Sequence, residues 1–219
     1  MLSGIDVSHY QELIDWPKVK ASGVRFAIIK ASEGTGYIDP MFEENFRGAL
    51  SAGIVPGTYH FYLPSLDPLQ QAVHYLSVIR DIVGRQACLP PCIDLETAGA
   101  TRTAMNAAVR AFMEELKRQD GRPGLLYTSP GFWGTYLPAP VLVQNRLKAA
   151  DVEWALDYPL WLAHYTTGWP SQVYPWVGWR FWQYSSAGKV AGVPTRVDLN
   201  YFNGSPADLA ALAGEGTRG

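Results

Sequence analysis

The sequence predicts an α/β barrel of eight strands, regular over its first two thirds and helix-poor over the last. Three observations predict it. Strand-like runs and helical patterns alternate from residue 3 to about residue 150. Eight strand candidates can be assigned, the number that closes a parallel barrel. Beyond residue 150 the helical pattern fades, and the strands are joined by Trp-, Pro- and Gly-rich loops. A length of 219 residues fits one domain of barrel size, or less comfortably two small ones, and a hydrophobic content of 47% supplies a core.

Ser3–Val7 and Arg25–Lys30 are the first two strand candidates. Pro40 to Ala52 reads as a helix stopped by Gly53, and Ile54–Phe61 as the third strand. Asp67-Pro68 supplies a cap and a first-turn proline, after which Leu69, Val73, Leu76 and Ile79 recur at helical spacing. Pro91–Leu95 is the fourth strand. Thr101 to Gln119 then places Met105, Val109, Phe112 and Leu116 on one helical stripe that Gly121 ends. Gly124–Thr128, Leu160–Ala163, Trp179–Tyr184 and Arg196–Tyr201 complete the eight. Residues 1–205 are expected to form a single barrel domain. Residues 206–219 are expected to be a C-terminal helix or tail, with the glycine-rich end Ala213–Gly219 either frayed or the stub of a linker.

The totals exclude several function classes. A net charge of −2 argues against nucleic acid or an anionic membrane surface, both of which select clustered basic residues. No apolar run approaches the length that spans a bilayer. The start Met1-Leu2-Ser3-Gly4 lacks the basic and apolar regions of a secretory signal, so the chain is expected either to leave its cell by another route or to have lost a leader. Cys88 and Cys92 form a lone C-x3-C without a second pair, which disfavours a zinc site. Free thiols are expected, because Pro90 and Pro91 stiffen the connection between them. Six of the eight Trp fall between Trp154 and Trp182, a cluster of flat faces with polar edges that suits sugar binding as well as core packing.

The most informative stretch is Pro90-Pro91-Cys92-Ile93-Asp94-Leu95-Glu96. Alternate residues of a strand share a face, so Asp94 and Glu96 point the same way with Cβ atoms about 6–7 Å apart. Paired carboxyls at the end of an apolar strand suit glycosidic cleavage: one protonates the leaving oxygen, the other handles the charge developing on the sugar. An isolated D-x-E would be two solvated acids. Here Asp6 ends the first strand and Asp198 lies in the last, its neighbour in a closed barrel, so all four acids converge on one mouth. Clustered carboxylates in a barrel are costly and mark function.

The run Gly4-Ile5-Asp6-Val7-Ser8-His9-Tyr10-Gln11 resembles the opening D-x-S-x-x-Q of the glycoside hydrolase family 25 muramidases, the Chalaropsis-type lysozymes. Phe26 to Gly34, Gly57-Thr58-Tyr59-His60-Phe61, Asp94-Leu95-Glu96, Leu126-Tyr127-Thr128, Leu160 to Tyr165, Trp182-Gln183-Tyr184 and Val197-Asp198-Leu199-Asn200 follow in the same order. The resemblance implies an irregular TIM-like (β/α)5(β)3 barrel. It also implies hydrolysis of the β-1,4 bond between N-acetylmuramic acid and N-acetylglucosamine. It places the catalytic Glu at Glu96 and its partner at Asp94, with Asp6 and Asp198 as further acids. Tyr59, Tyr127, Tyr165 and Gln183 are expected to line the sugar groove. No cofactor or metal is implied. The expected partner is bacterial cell-wall peptidoglycan, met by a monomer at the wall; without a signal peptide, the chain would be cytoplasmic until lysis.

Other residues weigh less. Glu33 and Asp39 are expected to be solvated loop acids, and His74 structural. His60 and His164 are expected near the groove as hydrogen-bond donors. Ser8 and Ser129 have no His–Asp partners for a serine hydrolase. A family 18 chitinase would need Asp at positions 89 and 92, where this chain has Leu89 and Cys92. A non-catalytic glycan-binding barrel would have no need of four acids, and a metal-dependent deacetylase lacks a His/His/Asp set.

Overall fold

The computed structural model describes residues 1–84, 86–99, 101–138, 141–143, 146–148 and 151–214. In chain order the strands are β1 (Leu2–Val7), β2 (Phe26–Glu33), β3 (Tyr37–Ile38), β4 (Val55–Phe61), β5 (Cys92–Asp94), β6 (Leu125–Thr128), β7 (Val141–Val143), β8 (Arg146–Lys148), β9 (Leu160–Ala163), β10 (Phe181–Gly188) and β11 (Val197–Phe202). The helices are α1 (Trp16–Ala21), α2 (Phe42–Ser51), α3 (Pro68–Val83), α4 (Arg102–Asp120), α5 (Pro130–Tyr136) and α6 (Pro206–Ala213). Eight of the strands close a barrel in the order β1-β2-β4-β5-β6-β9-β10-β11, with β11 returning to β1. A helix follows each of the first five barrel strands and none lies between the last three, so the (β/α)5(β)3 expectation holds.

One strand departs from a parallel barrel. β11 runs antiparallel to both β10 and β1. A parallel connection needs a crossover long enough to carry the chain back to the starting end. The loop from Gly188 to Val197 contains no helix, so the chain turns and descends. Two small pairings escaped the sequence reading: β3 folds back on β2 as a short antiparallel edge, and β7 pairs with β8.

Strand alternation divides the core in two. Ile5, Val7, Ala27, Ile29, Ile93 and Leu126 face outward onto the helices. Phe26, Ile28, Cys92, Leu125, Trp161, Phe181 and Phe202 fill the barrel interior. The phenyl rings of Phe26 and Phe202 pack against Phe181 at 5.2 and 5.0 Å. Gly4 makes this possible, because a Cβ there would stand 2.3 Å from the Phe26 ring. Helix α6 closes the bottom: Leu209 and Ala213 join the interior cluster, and Cys88 N–H donates to the Ala213 carbonyl at 3.0 Å. The C-terminal helix expected after residue 205 is therefore part of the barrel's packing, while residues 215–219 of the predicted tail lie outside the described residues. Cys92 is a buried interior thiol, and Cys88 is also buried.

Helix α4 buries the expected stripe, and Gly121 caps it in the left-handed region at φ 82°. Helix α3 corrects its prediction. Leu76 and Ile79 are buried, but Leu69 and Val73 are exposed, and the inner face also carries Gln71, Ala72 and Tyr75. Gln71 bonds the backbone of Leu63 at both its amide atoms. The Tyr75 hydroxyl meets Thr58 and accepts from Cys92 N–H. Satisfied polar groups can occupy a buried face, which apolar spacing alone does not reveal.

Candidate active site

The four predicted acids converge at the upper end of the barrel. Asp6 near the end of β1 pairs in register with Asp198 near the start of β11, a meeting that the antiparallel run of β11 produces. Asp94 ends β5 on the inward face. The chain stays extended beyond it, held by Tyr62 N–H to the Asp94 carbonyl (3.1 Å) and Leu95 N–H to the Tyr127 carbonyl (3.0 Å), which delivers Glu96 to the same mouth.

Each acid is held above the usual carboxylate range. Asp94 is only 8% exposed and its Oδ1 has no hydrogen-bond partner among the described residues. Burial raises its pKa well above normal, and the Glu96 and Asp6 carboxyls add to this while Lys30 opposes it. Glu96 faces the opening, yet partial burial and the Asp198 charge raise its pKa. Asp6 is raised well above normal by burial and then by Asp198, against hydrogen bonds from Gln183 and Asn200. Asp198 is raised by burial but lowered by its hydrogen bond with Asp6.

Gln183, 3% exposed, organises the wall between Asp6 and two tyrosines. Its Nε2 donates to Asp6 Oδ1 (2.9 Å) and Oδ2 (3.2 Å). Its Oε1 accepts from Tyr127 (3.0 Å) and Tyr165 (2.8 Å) hydroxyls. Asn200 Nδ2 donates to Asp6 Oδ1 at 2.6 Å, and Trp161 Nε1 donates to Asn200 Oδ1 at 2.8 Å. Tyr59 lies half-buried with its ring edge-on to Trp161 at 6.3 Å, beside Asp94. All eight predicted site residues thus gather at one mouth.

Lys30, Asn200 and Trp161 belong to the same mouth and were missed as site residues. Lys30, buried under the Phe61 ring at 4.8 Å, pairs with Glu33 at 2.8 Å, and its charge opposes the raised pKa of Asp94 and Glu96. The missed signal was strand alternation: Lys30 follows inward Phe26 and Ile28, and Asn200 follows inward Asp198.

Several lesser expectations are corrected. Asp39 is not a solvated loop acid: it is 2% exposed, bonded to His9 Nδ1 at 2.7 Å and to the His9 and Met41 amides. Glu33 is bound by Lys30 rather than free in solvent. His60 is not in the groove. It lies on the outward face of β4, fully buried between Phe112 and Tyr75, bonded to Ser32 and Gln71, and burial lowers its pKa to about 3. Its inward neighbour Tyr59 took the groove position, as a one-residue offset requires. His164 Nδ1 accepts from Ser171 N–H and so fixes the loop after β9. His74 bonds the Tyr37 carbonyl. Ser8 and Ser129 are helix caps. Among the described residues no group of three or more His, Cys, Asp or Glu could hold a metal ion.

Comparison with known proteins gives a consistent result. The family model for glycosyl hydrolases family 25 matches residues 5–193. The chain is 36% identical to Lysozyme M1 of Streptomyces globisporus, over 97% of this chain and 71% of that one. It is 29% identical to the N,O-diacetylmuramidase of a Chalaropsis species, over 97% of this chain and 99% of that one. The crystal structure of a bacterial lysozyme from Streptomyces coelicolor superposes with a TM-score of 0.83 at 34% identity, covering 97% of this chain and 96% of that one.

Proposed function

The chain belongs to glycosyl hydrolases family 25 and is a glycoside hydrolase, and on that premise we propose that it cleaves the β-1,4 bond between N-acetylmuramic acid and N-acetylglucosamine in bacterial peptidoglycan. The observation that carries this reading is the Asp94 oxygen left buried and unpartnered beside Glu96. A desolvated acceptor at that position calls for a donor brought by the substrate. The N–H of a 2-acetamido group supplies one.

Glu96, whose pKa partial burial and Asp198 raise, gives its proton to the glycosidic oxygen as the bond breaks. The substrate's acetamido oxygen attacks the anomeric carbon while Asp94, ionised as the substrate's N–H and the developing positive charge come to face it, accepts the N–H hydrogen bond and balances that charge. Glu96, now ionised, draws a proton from the incoming water, which opens the cyclic intermediate with net retention. Asp6 and Asp198 support the site: Asp198 raises the pKa of Glu96, and Asp6 is tied to Gln183 and Asn200. Tyr59, Tyr127, Tyr165 and Gln183 form the groove wall. Residues 1–205 carry all of this chemistry as one catalytic unit.

Purified cell walls test the reading. Turbidity should fall as the enzyme acts, and the new reducing ends should be muramic acid. New ends that are exclusively glucosamine would reject the assigned bond.

A further inference from the structure

The outer wall of β10 and β11 carries a feature that the groove chemistry leaves unexplained. Alternation puts Phe181 and Gln183 inside the barrel and turns Trp182 and Tyr184 outward, where Tyr201 stands opposite Trp182 across the ladder. No helix lies between these strands to cover that face. The loop after β9 brings Trp169 back over it, stacked on Trp182 at 6.4 Å and beside Trp179 at 6.3 Å. Trp182 continues to Tyr201 at 6.0 Å, and Tyr201 stacks on Tyr184 at 4.4 Å with planes 14° apart. Five rings thus lie in contact: Trp182 at the centre is buried (7% exposed) and serves as the base, Trp179, Tyr184 and Tyr201 are half-buried around it, and Trp169 offers its face at 74% exposed.

We propose that this strip is a second glycan-binding site, outside the catalytic groove, for an uncharged run of pyranose units of the polymeric substrate. The proposal rests on the reading that the substrate is a glycan strand. The C–H face of a pyranose lies flat on an aromatic ring while its hydroxyls and acetamido groups reach polar edges, and Trp and Tyr offer both. The strip is built from such rings alone, each pairing a flat apolar face with a polar edge. It is also continuous with the groove. Tyr165, which bonds Gln183 in the mouth, begins the loop that carries Trp169, and Trp182 Nε1 donates to the His164 carbonyl at the root of that loop. A strand held on the wall raises the local concentration of cleavable bonds at the mouth without a new catalytic contact.

The test separates wall binding from turnover. Exposed Trp169 can be truncated with little risk to folding. In a Glu96→Gln background, adding Trp169→Ala should weaken binding to purified insoluble peptidoglycan by about three- to tenfold, the scale of one lost aromatic stacking contact, and Trp169→Tyr should restore most of it. In the active enzyme, Trp169→Ala should leave kcat/KM on a soluble tetrasaccharide unchanged. Unaltered binding to peptidoglycan would overturn the proposal. So would an equal loss on the tetrasaccharide, which would put Trp169 in the groove. A dimer in sedimentation that Trp169→Ala dissociates would assign the strip to a second copy of the chain and overturn it as well. If the unmutated enzyme cleaved neither substrate while Trp169→Ala still weakened peptidoglycan binding, the catalytic reading would fall and the binding strip would stand.

Discussion

Replacing Gln183 with Leu should destabilise the protein in a pH-dependent way. Leu fills similar space but removes one donor from Asp6 and one acceptor from two tyrosines. Tyr165 is 56% exposed and can turn to water, so its loss is small. Asp6 and Tyr127 are buried and cannot. Each buried group left short of a partner costs about 1–3 kcal/mol, giving roughly 2–6 kcal/mol for the two. For a protein of this size, about 4 kcal/mol lowers Tm by roughly 8–16 °C. The Asp6 share depends on its charge. The folded pKa of Asp6 is already raised, so its contribution to stability is fully present below the unfolded value near 3.9 and is lost as pH rises through the folded value. Removing the Gln183 donor raises that folded pKa further. The penalty of the substitution should therefore be smallest at pH 3–4, where only the Tyr127 share remains, and should grow towards neutrality. Urea unfolding of wild type and variant across this range measures it. A loss of stability equal at pH 3.5 and pH 7.5 would refute the assignment of Asp6 as the charge that Gln183 holds.

Other outcomes follow from the same site. Glu96→Gln should lower kcat by about 10²-fold or more with peptidoglycan still bound, read as the rate of reducing-end release. Proton NMR of the first-formed product should show the β anomer, and an α product would replace substrate assistance with attack by an activated water. Asp198→Asn should fold normally and lose less activity than Glu96→Gln. Because the Asp198 charge raises Glu96, neutralising it should move the alkaline limb of the rate profile to lower pH, and an unmoved limb would break that link. Activity should persist in EDTA and in a reductant, since no step above uses a metal or a disulfide; loss in EDTA restored by a divalent ion would oppose the mechanism.

The barrel was legible because its strands declare themselves by period. Ile5, Ile29, Ile93 and Leu126 alternate with inward residues, and the same alternation foretold that Asp94 would point into the mouth. Strand direction is not written in that period, so the antiparallel run of β11 had to come from the length of the loop before it. Polar residues buried with partners were the harder class. Asp39 sits in a Gly-rich, loop-like stretch and reads as solvated, yet His9 from a distant loop and two amides enclose it. His60 falls beside groove residue Tyr59 in sequence but on the opposite face of the strand. Gln71 and Tyr75 look like the wet side of a helix and form its dry side. In each case a contact far away in sequence decided the outcome.

Leu2 and Leu209 lie on the same small cavity at the foot of the barrel, and the acids stand at the opposite pole. The start of β1 and helix α6 are thus gathered behind the reaction. Attaching this protein through a residue on the exposed side of α6, to a bead, a scaffold or another module, would turn the mouth outward. The plug that α6 drives into the base gives the molecule a front and a back.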